Sequence, residues 1–194
     1  MSRSLVSLRC AELSDAPILA ELWCDGLRRA DPHEQVADLE LVIKGATASP
    51  EQRMLVAEYD GALAGAILLR VATLSAINLE QIVQAISPHV FPQYRRHGIG
   101  RALMESAVAF AEELGIAHVA TAATSGSRDA NRFMARLALG PYATLRLAPT
   151  VAVRAKLTAQ RPVLPGNGRQ RTRLLAARRS MRRSQVEAPE LELG

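Results

Sequence analysis

Residues 90–103 read VFPQYRRHGIGRAL, and this stretch decides the fold. An apolar segment ends at Phe91. Pro92 then opens a polar run through Gln93, Tyr94, Arg95, Arg96 and His97, and two glycines, Gly98 and Gly100, bracket Ile99. From there the apolar residues recur at Ile99, Leu103, Ala107, Phe110 and Leu114, one face of a helix, and Gly115 stands where that helix would stop. A strand, a tight glycine turn and a helix start leave several backbone N–H groups unpaired and aimed at one spot. Such a spot binds anions. The helix dipole and the arginines add positive potential, and the glycines let a phosphate approach the backbone. The spacing is not the dinucleotide fingerprint, which needs a third glycine, and it lacks the Lys and Ser/Thr of the P-loop. Taken alone, two glycines fit a plain strand-to-helix turn equally well.

Outward from this stretch the chain alternates strand and helix signals. On its N-terminal side, Ile82–Phe91 reads as a strand in which Pro88 predicts a bulge or a lost ladder bond. Met54–Tyr59, then Asp60-Gly61, then Leu63–Val71 is a hairpin, because Asp and Gly tolerate the positive φ of a tight turn. A helix is expected from Pro32 to Lys44, ending at Gly45. Before it, Leu5–Cys10 reads as a strand, followed by a helix with Ser14 and Asp15 at its N-cap, Pro17 in its first turn and Ile18, Leu19, Leu22 and Trp23 at helical spacing. On the C-terminal side come a buried strand at Ile116–Thr121 and a short helix at Asp129–Leu137. Two closing strands, Tyr142–Leu147 and Val151–Leu157, follow, separated by Ala148 and Pro149. The predicted order is βααβββαβαββ, a mixed α/β fold.

A chain of 194 residues, 48% hydrophobic and 22% charged, can bury one sizeable core and is not disordered throughout. The longest apolar region, Met54–Leu79, is broken by Glu58, Asp60 and Arg70, so no membrane span is expected. With no secretory signal at the start, the expected compartment is cytoplasmic. Cys10 and Cys24 fit a reducing compartment and are expected to be small buried hydrophobes. The four histidines show no ligand spacing, and no metal is implied. Residues 1–157 balance 16 basic against 16 acidic residues, whereas 158–194 carry 8 Arg against 3 Glu. A domain boundary is therefore placed near Leu157, and 158–194 reads as a basic Arg-rich tail, flexible or partly helical. Two readings of that tail stand: contact with RNA or an anionic surface, or a solvated segment that aids solubility. No aromatic residue follows Leu157, which leaves nothing for base stacking.

Val90, Pro92, Tyr94, Arg95, Arg96, His97, Gly98, Ile99, Gly100, Arg101, Ala102 and Leu103 together resemble the pyrophosphate-binding motif of the GNAT superfamily of acyl-CoA-dependent N-acyltransferases. In that motif Arg or Gln is followed, after two residues, by Gly, one residue, and Gly or Ala; Arg95, Gly98 and Gly100 match it. The resemblance covers about residues 4–157. It implies a mainly antiparallel central sheet with helices on both faces, with acetyl-CoA as cosubstrate and an amine, on a small molecule or a protein, as acceptor. Under it the backbone from Arg96 to Arg101 holds the coenzyme A pyrophosphate, and the strand at Val90 and Phe91 pairs with the pantetheine amides. A homodimer is common in the superfamily, although no residue of this chain demonstrates one. A second superfamily motif is matched in part by Ser127, Ala130, Phe133, Met134, Ala138 and Leu139. Its usual tyrosine protonates the leaving thiolate, and the thioether of Met134 has no proton to give.

The chemistry requires a base for the amine, stabilisation of the oxyanion and departure of the thiolate. Members of the superfamily often carry a carboxylate on the central strand, which nominates Glu80; Gln84 lies closer to the turn but is no base. His89 is the second candidate, since imidazole titrates near neutral pH. Tyr142 or Tyr94 can stand in as the acid, or the thiolate can leave unprotonated, thiols having a pKa of about 8.5. Two functions stay open: an N-acetyltransferase, and a GNAT-like acyl-CoA-binding or interaction module that has lost turnover.

Overall fold

Asp60 and Gly61 take φ values of 53° and 79° and fold strand β2 (Gln52–Tyr59) back onto β3 (Ala62–Thr73). Around this hairpin a five-stranded sheet assembles in the order β1-β2-β3-β4-β5, with β1 at Val6–Cys10, β4 at Gln81–Val90 and β5 at Val119–Thr121. The first four strands are antiparallel, and β5 runs parallel to β4 after a helical crossover. The computed structural model describes residues 6–122 and 126–160. Among them no helix is long and apolar enough to cross a membrane.

Strand alternation sends two apolar sets to opposite faces. Met54, Val56 and Ala66 pack with α1 (Ala16–Leu22) and α2 (Pro32–Ala48), whereas Leu55, Ala57, Ile67, Leu69, Val83 and Ala85 pack with α3 (Ile99–Glu113). This is the predicted mixed α/β sheet, mainly antiparallel, with helices on both faces. Arg9 ties β1 to its neighbours: it donates two hydrogen bonds to Asp15, at 2.7 and 2.9 Å, and one to Glu58 at 2.7 Å. The guanidinium holds the Asp15 carboxyl below its ordinary range against the opposing effect of burial.

Several local expectations are corrected. Helix α2 runs through Gly45 to Ala48, because Ala46 is buried and the Thr47 hydroxyl donates to the Ile43 carbonyl; Ser49 and Pro50 end it instead. Cys10 and Cys24 are exposed, Cys10 on an edge strand and Cys24 just past the end of α1.

The chain divides into two compact units between Pro141 and Tyr142. In the second, neither expected closing strand forms. Residues 142–149 have no regular structure and 150–159 are helical (α5, Thr150–Ala159). An alternating segment becomes a strand only where another strand offers its ladder, and among the described residues none pairs with 142–147. After Pro149, the run Ala152, Arg154, Ala155, Lys156, Leu157 is rich in helix formers, so local propensity prevails. The tail from residue 161 lies outside the described residues.

Candidate active site

The end of β4 is shaped by Pro88. Between the pairs Leu68↔Ile86 and Ala66↔His89 the strand carries one residue more than β3, and Ser87 takes a φ of 47°, so the predicted bulge is present. Past the bulge, Phe91 donates its N–H to the Ala64 carbonyl of β3 at 2.9 Å. Successive residues of a strand point their polar groups to opposite sides, so the N–H and C=O of Val90 face away from β3. On that side, among the described residues, β5 pairs with β4 only over Val83–Ala85. The Thr121 hydroxyl donates to the Ala85 carbonyl at 2.8 Å, where this ladder ends. Among the described residues, then, no strand pairs with Ile86–Val90 on that side. Of the two residues expected to read amide groups, Val90 offers its backbone there and Phe91 has spent its N–H on β3.

The turn that follows is held by Tyr94 N–H on the Phe91 carbonyl (3.0 Å) and Arg95 N–H on the Pro92 carbonyl (3.4 Å). Arg96 and Gly98 are both left-handed, with φ of 68° and 83°. The helix ladder begins with Ala102 N–H on the Gly98 carbonyl at 3.0 Å, so the N–H groups of Ile99, Gly100 and Arg101 precede it. They converge at the positive end of α3. Gly98 is required by its φ, and a Cβ there would meet nothing within 4 Å, which leaves the space open. Gly100 serves differently: a Cβ on it would sit 3.6 Å from the ring of Phe133, on α4 (Arg128–Arg136). Arg95, Arg96 and His97 are exposed, Ile99 is buried in the core, and Arg101 is paired with Glu105 at 2.7 Å.

His89 lies one residue before the free-edge position and shares a sheet face with Ala66, on the side of α1 and α2. Burial lowers its pKa below the ordinary histidine value, Arg95 lowers it further, and Asp25 partly opposes both. The imidazole is therefore neutral near pH 7. On the same face the Trp23 indole donates to the Ser87 carbonyl at 2.9 Å and pins the end of α1 to the bulge. Beside it a cavity of about 90 Å³ is lined by Trp23, Gly26, Leu27, Leu68, Ile86 and Ser87.

Of the other expected residues, Glu80 and Gln84 are not brought to this place. Glu80 precedes β4 at its far end, roughly 30 Å from Val90 by strand rise, and pairs there with His118 at 2.9 Å. Gln84 accepts a hydrogen bond from Arg70 at 2.8 Å. Ser127 caps α4, its hydroxyl accepting from Ala130 N–H at 3.4 Å. Met134 is buried, and Tyr142 is 79% exposed in the second unit, outside any regular element. Three residues escaped the sequence reading. Gly65 is one, since a Cβ there would fall 2.6 Å from the His89 carbonyl oxygen and 3.1 Å from Ile99; a glycine inside a strand was its signal. Tyr59 and Trp23, the single tryptophan, are the others.

The model of the family described as Acetyltransferase (GNAT) family matches residues 16–139. No curated protein matches the sequence. Solved structures do. A transcriptional regulator from Bacillus halodurans C-125 superposes with a TM-score of 0.63 at 17% identity, over 74% of this chain and 99% of that one. A glucosamine-6-phosphate N-acetyltransferase from Arabidopsis thaliana gives 0.58 at 14%, over 75% and 98%. An aminoglycoside N-acetyltransferase in complex with CoA gives 0.61 at 12%, over 75% and 94%. At such identities the likeness is one of fold.

Proposed function

Because the chain belongs to the GNAT acetyltransferase family, we propose that it transfers the acetyl group of acetyl-CoA to a primary amine carried by a small molecule or a protein. The observation that carries this reading is the adjacency of two main-chain features. Left-handed Gly98 opens the N-terminus of α3, and the β4 edge at Val90, unpaired among the described residues, lies a few residues before it. The first suits a diphosphate and the second suits the amides of a pantetheine arm, the two recognisable parts of coenzyme A. The N–H groups of Ile99, Gly100 and Arg101 hold the diphosphate. The Val90 backbone aligns the arm and orients the thioester carbonyl.

On this reading the acceptor arrives on the face of α1 and α2, where neutral His89 accepts the proton that the ammonium must lose before attack. Nitrogen then bonds to the acyl carbon, the tetrahedral oxyanion collapses, the carbon–sulfur bond breaks, and the second surplus proton on nitrogen passes to water. With Met134 buried in place of a hydroxyl, the sulfur leaves as thiolate, an adequate leaving group for a thiol of pKa about 8.5. Glu80, held by His118 at the other end of β4, is given no role. The catalytic domain is the 1–157 body, with 158–194 as an appended tail.

A second reading, an acyl-CoA-binding module without turnover, is favoured by the same thioether. Calorimetry with acetyl-CoA tests both: heat that saturates at one ligand per chain is expected, and its absence defeats them together. Thiol release in the presence of an amine panel then separates them. Release above background with any amine supports transfer, and none supports the binding module.

A further inference from the structure

The cradle rests on a backbone that its own sequence does not explain. Arg96 is a non-glycine residue at a φ of 68°, two positions before Gly98 at 83°, in a segment whose side chains are exposed. A side-chain-bearing residue in that region persists only when its surroundings over-determine it. The residue between the two is His97. Its ring lies 4.6 Å from that of Tyr59, tilted by 53°, and its Nδ1 is 3.2 Å from the Tyr94 carbonyl oxygen. The rings of Tyr59 and Tyr94 are themselves 6.1 Å apart, and both tyrosines are half-buried against the core beneath α3.

Tyr59 is well placed to serve as an anvil. It is the last residue of β2, paired with Val6 on one side and Ala62 on the other, directly before the Asp60-Gly61 turn. It stands in a hydrogen-bonded hairpin, 38 residues upstream of the histidine that it touches. We propose that Tyr59 is a positioning residue for the anion cradle: its ring clamps His97 and thereby keeps Arg96 and Gly98 left-handed, so that the amides of Ile99–Arg101 stay convergent on a diphosphate. The proposal rests on the acyl-CoA reading above and adds to it a residue from outside the motif.

The experiment is calorimetry on the full chain with two ligands, acetyl-CoA and S-acetylpantetheine, which lacks the diphosphate. In Tyr59→Leu, which keeps an apolar side chain and removes the ring, the Kd for acetyl-CoA should rise about 3- to 10-fold, the range expected for losing an aromatic pair. Affinity for S-acetylpantetheine should not change. Tyr59→Phe should bind acetyl-CoA like the parent, since the ring remains. His97→Leu should weaken binding to the same degree, and the double variant should be no weaker than either single one, because both substitutions break one contact. Circular dichroism and unfolding midpoints confirm that each variant is folded. The proposal is overturned if Tyr59→Leu binds acetyl-CoA unchanged, if the loss extends equally to S-acetylpantetheine, or if the two single losses multiply. Failure of the parent to bind acetyl-CoA would instead sink the acyl-CoA reading itself.

Discussion

At the scale of single residues, Gly98 and His89 carry the sharpest tests. Gly98 needs its φ of 83° and faces open space, so Gly98→Glu both strains the turn and places a carboxylate where an anion must sit. Acetyl-CoA binding is expected to vanish in calorimetry; retained affinity would refute the cradle. For His89 the sign follows from burial. A depressed pKa means that the neutral, proton-accepting form is fully present above the ordinary value of about 6.5 and is lost only as pH falls through the lower folded value. If the protein turns over, the acidic limb of the kcat/KM profile should lie below 6.5. In His89→Gln that limb should disappear and the rate fall about 100-fold. A limb that survives the substitution assigns it to another group.

Among elements, β4 and its partners explain both what the sequence revealed and what it concealed. Pro88 announced its bulge because a residue without an N–H cannot complete a ladder, and the spacing from Ile99 to Leu114 announced α3 because one face of a helix must be apolar to be buried. The closing strands were misread for a reason of the same kind. Alternation along 142–147 says what a strand would look like but not whether an edge is there to receive it. Catalytic candidates were harder still. Glu80 and His89 both flank or occupy the strand, and only the three-dimensional path separates an end tied to His118 from the end beside the cradle. The contacts of Tyr59 and Gly65 reach across the fold; a glycine inside a strand pointed to the second, and nothing in local spacing pointed to the first. Gly65→Ala tests this level: its methyl would press on the His89 carbonyl at 2.6 Å and pry β3 from β4. A loss of about 1–3 kcal/mol in urea unfolding is expected, accompanied by weaker acetyl-CoA binding.

For the whole molecule, the family match and the surplus charge occupy different parts of the chain. The family match ends at residue 139, while the excess positive charge lies beyond residue 157. Deleting 161–194 is therefore expected to leave acetyl-CoA affinity within about twofold, and to remove any retention on immobilised RNA at low salt. Retention that is unchanged would dismiss the tail as a contact. One property of the sheet reaches further. Among the described residues, no strand pairs with its Ile86–Val90 margin on the β5 side, the kind of border on which foreign polypeptide can nucleate. Pro88 blunts that hazard by withholding a donor. On the proposed function, the pantetheine amides would act as a surrogate sixth strand, and hydrogen exchange at the Val90 amide should slow when acetyl-CoA is added. The ligand would then guard this border as well as deliver its acyl cargo, and starving the protein of it would invite self-association.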